Sequence, residues 1–570
     1  MQERLLLLLV VTALCGLWET ETGWAQEFSR ITDAVLENPS PNDWIAWRGT
    51  HQSQGYTPLK QINRDNVRNL QLAWGWAIEE GNSQPGPIVY DGVMYLSGPG
   101  GIVHALDGAT GDLLWEYRHR VNGSVARVGS TPTATIRGLA LYDDKVYLNA
   151  PDARVIALDV RSGTVVWDTQ VADPADGFGF TAAPVIARGV VVSGLMGCRK
   201  FIDEKCALIG HDAQTGKRLW RVPTIPGGND PGTESWGDLA PVYRSGTGMW
   251  IPGSYDHELN LVYWATSQAK PWARVSRGTN GDALYSNTTL AINPDTGEVV
   301  WYRQTIPGET HDLDEVYESV LIDRGSQRSL FKMGKIGILW ELDRSTGEIL
   351  PATDLGYQNL VDVDPNTGSL SYRPGVIPKL NEPINQCPGT LGFKNWPAMA
   401  YSPETDALYI PILMACAEQR YVPVEFVPGG GGLGAGGSKP FFHPDSDEKL
   451  GKLVAISTSG EVLWEHVQRA AFSTATLTTA GGLVFIADSD RYIRAHDVKT
   501  GEVLWQTRVQ TGGQGFPMSY SAGGQQFVAI PVGVGAVLPG SQAVLLTPEV
   551  KRPNTGNALM VFALPDDRER

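Results

Sequence analysis

One phrase recurs along the chain at a nearly constant interval, and it limits the fold more than any other feature. It reads "ALDGATGDLLW" at 105–115, "ALDVRSGTVVW" at 157–167, "GHDAQTGKRLW" at 210–220, "AINPDTGEVVW" at 291–301 and "AHDVKTGEVLW" at 495–505. Two weaker copies are "ELDRSTGEIL" at 341–350 and "AISTSGEVLW" at 455–464. Each reads as strand, Asp-x-x-Thr-Gly turn, strand, and most copies close on tryptophan. The glycine supplies the positive φ of the turn, and the Asp or Asn side chain can accept from backbone amides across it. Segments ahead of these turns, at 92–98, 144–150, 189–194 and 482–488, carry strand-type residues bounded by Gly and Asp.

Asp107, Asp159 and Asp212 lie 52 and 53 residues apart, and Asn293 and Asp343 lie 50 apart. That period fits one four-stranded blade of a β-propeller. A tryptophan returning at one position wants the same pocket each time, with a partner for its N–H, and a ring of blades repeats such a slot. The gaps of 81 residues before Asn293 and 114 between Asp343 and Ser457 each leave room for a blade with a degraded signature plus insertions. Seven visible copies and one hidden one predict an all-β, eight-bladed propeller filling residues 26–570 as a single domain. Length alone would suggest roughly three or four domains, but a repeat overrides that prior. Gly 65 and Pro 37 against 19% charged residues suit a turn-rich chain.

The first 25 residues read as a secretory signal: Arg4, an apolar run from Leu5 to Leu17, then Gly23-Trp24-Ala25 as a small-x-small cleavage site. No other stretch approaches a membrane span, so a soluble, exported protein in an oxidising compartment, in bacteria the periplasm, is expected. Outside the signal, Cys198, Cys206, Cys387 and Cys416 allow three pairings. Cys198–Cys206 and Cys387–Cys416 are favoured as local closures. Neither CxxCH nor CxxC occurs, which argues against covalent c-type haem and a structural zinc site. A net charge of −16 disfavours nucleic acid and anionic membrane as partners and suits a basic protein. The run "PGGGGLGAGGS" at 428–438 lacks the strand-to-helix setting of a dinucleotide fingerprint and is expected to be a flexible surface loop. The triplets at Asn122 and Asn287 need no glycosylation in a bacterial export.

Three longer stretches carry a resemblance: "WRGTHQSQGYTPLKQINRDNVRNLQLAWGW" (47–76), "GSYDHELNLVYWATSQAKPW" (253–272) and "CPGTLGFKNWPAMAYSPETDALYIPI" (387–412). With the repeats they resemble the periplasmic quinoprotein alcohol dehydrogenases, eight-bladed propellers that hold pyrroloquinoline quinone (PQQ). The resemblance implies that Trp250 is the indole on which the quinone stacks. It implies cationic cofactor contacts at Arg137 and Lys335 and polar ones at Asn395 and Gln84. Within "ETHDLDEVYE" (309–318), Asp312 matches the catalytic aspartate and a metal ligand. Asp314 matches the extra aspartate of the lanthanide-using branch, and Gln268 falls on a metal-binding asparagine. The implied ion is calcium or a lanthanide, a Lewis acid on the quinone carbonyl. Glu309, Glu315 and Glu318 are expected to be solvated or cation-paired on a blade edge, and His311 to be a packing residue.

Departures from the family pattern are as informative. The family's metal-binding glutamate belongs in a segment that here reads "SGLMGCRK" (193–200) and contains no carboxylate; Asp203 or Glu204 are the nearest substitutes. The adjacent cysteines expected under the cofactor are replaced by Thr131-Pro132. The expected activity is oxidation of a small alcohol to an aldehyde or ketone, with electrons passed to a separate soluble cytochrome c; a homodimer is among the expected assemblies. Two other readings stand beside it: a non-catalytic scaffold of the outer-membrane assembly type, and the same cofactor acting on a bulky, cyclic or polymeric alcohol.

Overall fold

The structure, a computed structural model, describes residues 28–120, 135–535 and 543–565. The signal segment 1–25, Asn122 and Thr131-Pro132 lie outside the described residues. From Ile31 onward the chain is mainly a succession of four-stranded antiparallel sheets, most with their strands in chain order; the one beginning at Leu477–Thr479 is joined by Tyr56–Thr57 as a parallel fifth strand. The first joins Ile88–Tyr90, Val93–Gly98, Ile102–Asp107 and Leu113–Arg118. The next two span Ala140–Tyr142 to Val165–Gln170 and Val185–Ala187 to Arg218–Pro223. Further sheets begin at Ser254–Asp256, Val320–Arg324, Ala400–Ser402 and Leu477–Thr479. First strands of successive sheets approach one another, as Val185–Ala187 does Ser254–Asp256 and Leu477–Thr479 does Met518–Ala522. This is an all-β, propeller-type fold.

The recurring turn explains how the sheets hold together. In each turn the Asp carboxylate caps its own loop: Asp107 Oδ1 accepts from the amides of Ala109 and Thr110, and Asp159, Asp212, Asp343 and Asp497 do the same in theirs. The residue after that aspartate then offers its carbonyl to the preceding sheet. Trp115 Nε1 donates to Val160 O at 3.0 Å, Trp167 to Ala213 O at 2.9 Å, Trp301 to Arg344 O at 2.9 Å and Trp464 to Val498 O at 2.9 Å. A second-strand tyrosine shares the acceptor: Tyr147 reaches Ala213 O, Tyr263 reaches Arg344 O and Tyr409 reaches Val498 O. The indole also covers the turn glycine. Gly347, at φ +71°, lies under the Trp301 ring, where any Cβ would collide.

The hidden copy is not in either long gap. Residues beyond Asp212 are taken up by irregular connections around the Ser254–Asp256 sheet. The other gap holds a hairpin, Val361–Val363 with Leu370–Tyr372, and a three-stranded sheet of Pro383–Gln386, Ala415–Tyr421 and Ala435–Phe442. That hairpin carries one more Asp-x-x-Thr-Gly turn, with Asp364 accepting from Asn366 and Thr367. The unsigned sheet is built from both ends of the chain: Gln71–Ala77 pairs with Ala558–Ala563, which continues into Gln525–Val532 and Met518–Ala522. No single stretch of sequence holds all its strands, so no local repeat could mark it.

The glycine-rich run is also not a free loop. Its end enters the strand Ala435–Phe442, and its start is pinned to the neighbouring segment by Phe201 N to Gly430 O at 3.0 Å and Gly429 N to Phe201 O at 2.7 Å. A Cβ at Gly431 would strike Arg199 O, so the glycine permits this close approach. The favoured disulfides form, Cys198–Cys206 and Cys387–Cys416. Among the described residues, no helix is long and apolar enough to cross a membrane.

Trp301→Ala removes the indole, its hydrogen bond and the cover of Gly347, and is expected to cost about 3–5 kcal/mol. Gly347→Ala should cost at least about 1 kcal/mol through overpacking and the positive φ. Chemical-denaturation midpoints measure both.

Candidate active site

A cavity of about 470 Å³ opens where connections into first strands meet links between second and third strands. Trp250, Arg137, Thr181, Gln268, Asp312, Asp314, Lys335 and Asn395 all line it. Trp250 is held from two sides. The Arg137 guanidinium lies 5.1 Å above the ring, and Tyr317 meets it edge-on with centroids 5.2 Å apart. Arg137 Nη1 donates to Trp250 O at 2.7 Å and Thr181 Oγ1 at 2.8 Å, and burial lowers the guanidinium to about 9. Asn395 is fixed by its own loop, donating to Leu391 O at 2.7 Å and accepting from Trp396 N at 2.8 Å.

Asp312 and Asp314 share a cation. Lys335 Nζ is 3.3 Å from Asp312 Oδ2, 2.9 Å from Asp314 Oδ2 and 2.8 Å from Asp312 O. The Gln268 side-chain amide donates to Asp312 Oδ1, and its backbone N–H donates to Asp314 Oδ1 at 3.1 Å. Asp312 adopts a left-handed backbone, φ +65°, which turns its carboxylate into the cavity. Burial is the main influence on it, and the nearby Asp314 adds to it; Lys335 opposes them, and the carboxyl is pushed up to about 7. The same two carboxylates hold the Lys335 ammonium well above its ordinary range despite burial. Lys270 also lines the cavity; burial lowers it to about 8 while Asp312 and Asp314 favour its charged form.

Of the two states expected for the acids flanking this pair, solvated or cation-paired, solvation does not occur, and Glu318 is cation-paired. Glu309, Glu315 and Glu318 are all buried, because each is spent on holding the loop. Glu309 Oε1 accepts from the amides of His311 and Leu313, and Arg277 donates to Glu309 O at 2.8 Å. Asn287 brackets the turn, donating to Leu313 O and accepting from Glu315 N, and so is itself buried rather than a surface acceptor. Lys332 donates to Glu315 O at 2.7 Å; burial pushes the Glu315 carboxyl up to about 7. Glu318 Oε2 meets Lys394 at 2.8 Å, both fully buried, and Lys394 lies 4.6 Å over the Tyr317 ring that braces Trp250. His311 is fully buried against Gln386, a packing residue.

A stacking indole, cations and paired aspartates on one cavity agree with what sequence comparison finds. Residues 44–354 and 449–528 match the PQQ family model described as the glucose/ethanol/alcohol dehydrogenase β-propeller domain. The chain belongs to this family of PQQ-dependent alcohol dehydrogenases. It is 34% identical over 557 residues to quinohemoprotein alcohol dehydrogenase ADH IIB of Pseudomonas putida, covering 92% of this chain and 77% of that protein. It is 30% identical over 571 residues to quinoprotein alcohol dehydrogenase PedH of Pseudomonas putida, covering 94% and 93%. Among solved structures, a europium-containing methanol dehydrogenase superposes with a TM-score of 0.86 at 27% identity, covering 93% of this chain and 99% of that one.

Not every expected residue reaches the cavity of this enzyme. Gln84 is buried but absent from the lining, where Asn82 stands instead. Asp203 and Glu204 do not line it either; Glu204 pairs with Arg221 on the exposed side of the disulfide loop. From that loop Met196, Cys198 and Arg199 face the cavity, with Thr181 Oγ1 donating to Met196 Sδ at 3.2 Å. Lys270, Arg199 and Leu433 are lining residues that motif reading passes over. For Lys270 there was a signal, a lysine inside the otherwise uncharged "YWATSQAKPW".

Lys394→Met leaves Glu318 buried without its partner and is expected to cost about 3–5 kcal/mol. Adding Glu318→Gln should recover most of the loss, a coupling that a double-mutant cycle measures by denaturation.

Proposed function

We propose that this enzyme is exported to the periplasm, oxidises an alcohol to an aldehyde or ketone in the 470 Å³ cavity, and passes electrons singly to a separate cytochrome c. The observation that carries the reading is the convergence on one cavity of Trp250, Arg137, Lys335 and Asp312. Signal removal near residue 25 and a single domain beyond it belong to the same proposal. The four-stranded sheets, with the terminal sheet closed by Gln71–Ala77, are read as eight blades of one ring. A net charge of −16 supports a basic electron acceptor through steering.

In this reading Trp250 is the platform for a flat tricyclic ring, held at its angle by Arg137 and Tyr317. Arg137 and Lys335 supply positive charge to the cofactor's carboxylates and oxygens. When bound, the quinone supplies the two-electron acceptor that no side chain here offers. Asp312 takes the alcohol proton; a carboxyl raised toward neutrality is matched to that task. Lys335 and Gln268 hold the two Asp312 oxygens in place as the proton arrives.

The residues that would hold a calcium or lanthanide ion are Asp312, Asp314 and Gln268. Their donors fit a hard cation: two carboxylates and an amide oxygen, Gln268 Oε1, that is buried without a hydrogen-bond partner among the described residues. Such an ion would supply Lewis-acid polarisation of a carbonyl.

Reconstitution of the purified apoprotein with PQQ, with calcium or a lanthanide added separately, tests the reading through dye-linked alcohol oxidation. Asp312→Asn should lower kcat by at least about a hundredfold while the quinone is retained. Asp314→Ala should abolish lanthanide-dependent activity. No quinone retained under any metal condition would remove the enzyme reading.

A further inference from the structure

The charge lining the cavity is unusual for a metal site. Four cations, Arg137, Arg199, Lys270 and Lys335, face two carboxylates, Asp312 and Asp314. Lys335 already spans both aspartates. Lys270 stands two residues from Gln268 on the short strand Ala269–Lys270, which pairs with Ser245–Gly246. Its side chain lines the same cavity as Asp312 and Asp314, whose charges favour its ammonium, and as Arg199 and Lys335, which oppose it; among the described residues no hydrogen bond or ion pair ties it to either aspartate. Beside that strand pair, where Gly246 N donates to Cys198 O at 2.7 Å, the segment leading into the disulfide presents Met196, Cys198 and Arg199, so that wall contributes a thioether, a disulfide and a guanidinium where a hard ion would want anionic oxygen.

A metal ion entering this site must therefore share the Asp312–Asp314 charge with ammonium groups that are part of the fold. We propose that Lys270 is a built-in counter-cation of the cofactor pocket: it competes with the metal ion for Asp312 and Asp314 and supplies part of the positive charge that holds the anionic cofactor. The surplus of two positive charges on the lining suits a tricarboxylate ligand even before an ion binds. Lysine suits the role because its single point charge sits on a flexible stem, able to turn from the aspartates toward a ligand carboxylate. The inference rests on reading the cavity as the quinone site, and it concerns which cation, protein or ion, balances the charge there.

The test uses full-length apoprotein freed of ions with EDTA. Terbium binding is followed by luminescence sensitised through Trp250 and Trp272, which line the cavity, and calcium binding by calorimetry. Removing one unit charge from the same cavity should tighten ion binding of Lys270→Met by at least about tenfold over wild type, with Lys270→Gln as the second neutral variant and Lys270→Arg remaining like wild type. PQQ binding without metal, read from tryptophan quenching, should weaken by at least about tenfold in the neutral variants and persist in wild type and Lys270→Arg. Unchanged or weaker ion binding in the neutral variants would overturn the proposal. So would wild-type protein that loses all quinone affinity with EDTA but regains it with calcium. If no variant binds quinone under any condition, the quinone reading fails, while the ion titrations still report whether Lys270 competes.

Discussion

The hydrogen bond from a tryptophan indole to the turn of the next sheet is the contact on which the rest of this structure depends. A four-stranded sheet exposes two faces and two edges, and alone it would be marginal. Here the indole of one sheet lies on the glycine of the next turn, and its N–H meets the carbonyl three residues before that glycine. The turn presents that carbonyl because an aspartate has gathered its amides on the other side. One residue pattern thus shapes the hairpin and orders its neighbour, and repetition carries the arrangement along the chain.

Stacking sheets in this way brings the connections into their first strands together at one end. The cavity side chains come from those connections, as with Arg137, Trp250, Asp312 and Asn395, and from links between second and third strands, as with Arg199, Gln268 and Lys335, which is why residues this distant share a cavity. The loop 305–319 shows the energetic cost of building a charged site inside a β-protein. Its acids are desolvated, and each is compensated separately: Glu309 by backbone amides, Glu315 beside Lys332, Glu318 by Lys394, and Asp312 with Asp314 by Lys335. At Asp312 and Glu315 burial outweighs that compensation: both carboxyls are raised toward neutrality, while Lys335 and Lys332 oppose the shift.

Much of the architecture was legible because the repeat is local. Strand, turn, glycine and tryptophan lie within eleven residues, and their physics does not depend on the remainder of the chain. The same locality explains what was misread. The sheet closed by Gln71–Ala77 has no contiguous signature, so length gaps pointed elsewhere. For Glu309, Glu315 and Glu318 solvation and cation pairing both stood open, because acid density in a sequence says nothing about what packs over it; all three are buried, and Glu318 is cation-paired. The glycine run looked free because its partner, the Arg199–Phe201 backbone, is far away in the chain.

The sequence by itself determined the repeating sheet, the residues that dock it to the next, and an indole, two cations and two aspartates that share one cavity, since short-range patterning and residue chemistry are properties of the chain. Only the tertiary structure decided which charges face one another. That Lys335 spans both aspartates, that Gln84 stays off the lining, and that Lys270 and Arg199 line the same cavity as the aspartates are long-range facts. Their physical reason is that a buried charge takes its state from neighbours a few ångströms away, and the closing of the sheets around the cavity chooses those neighbours.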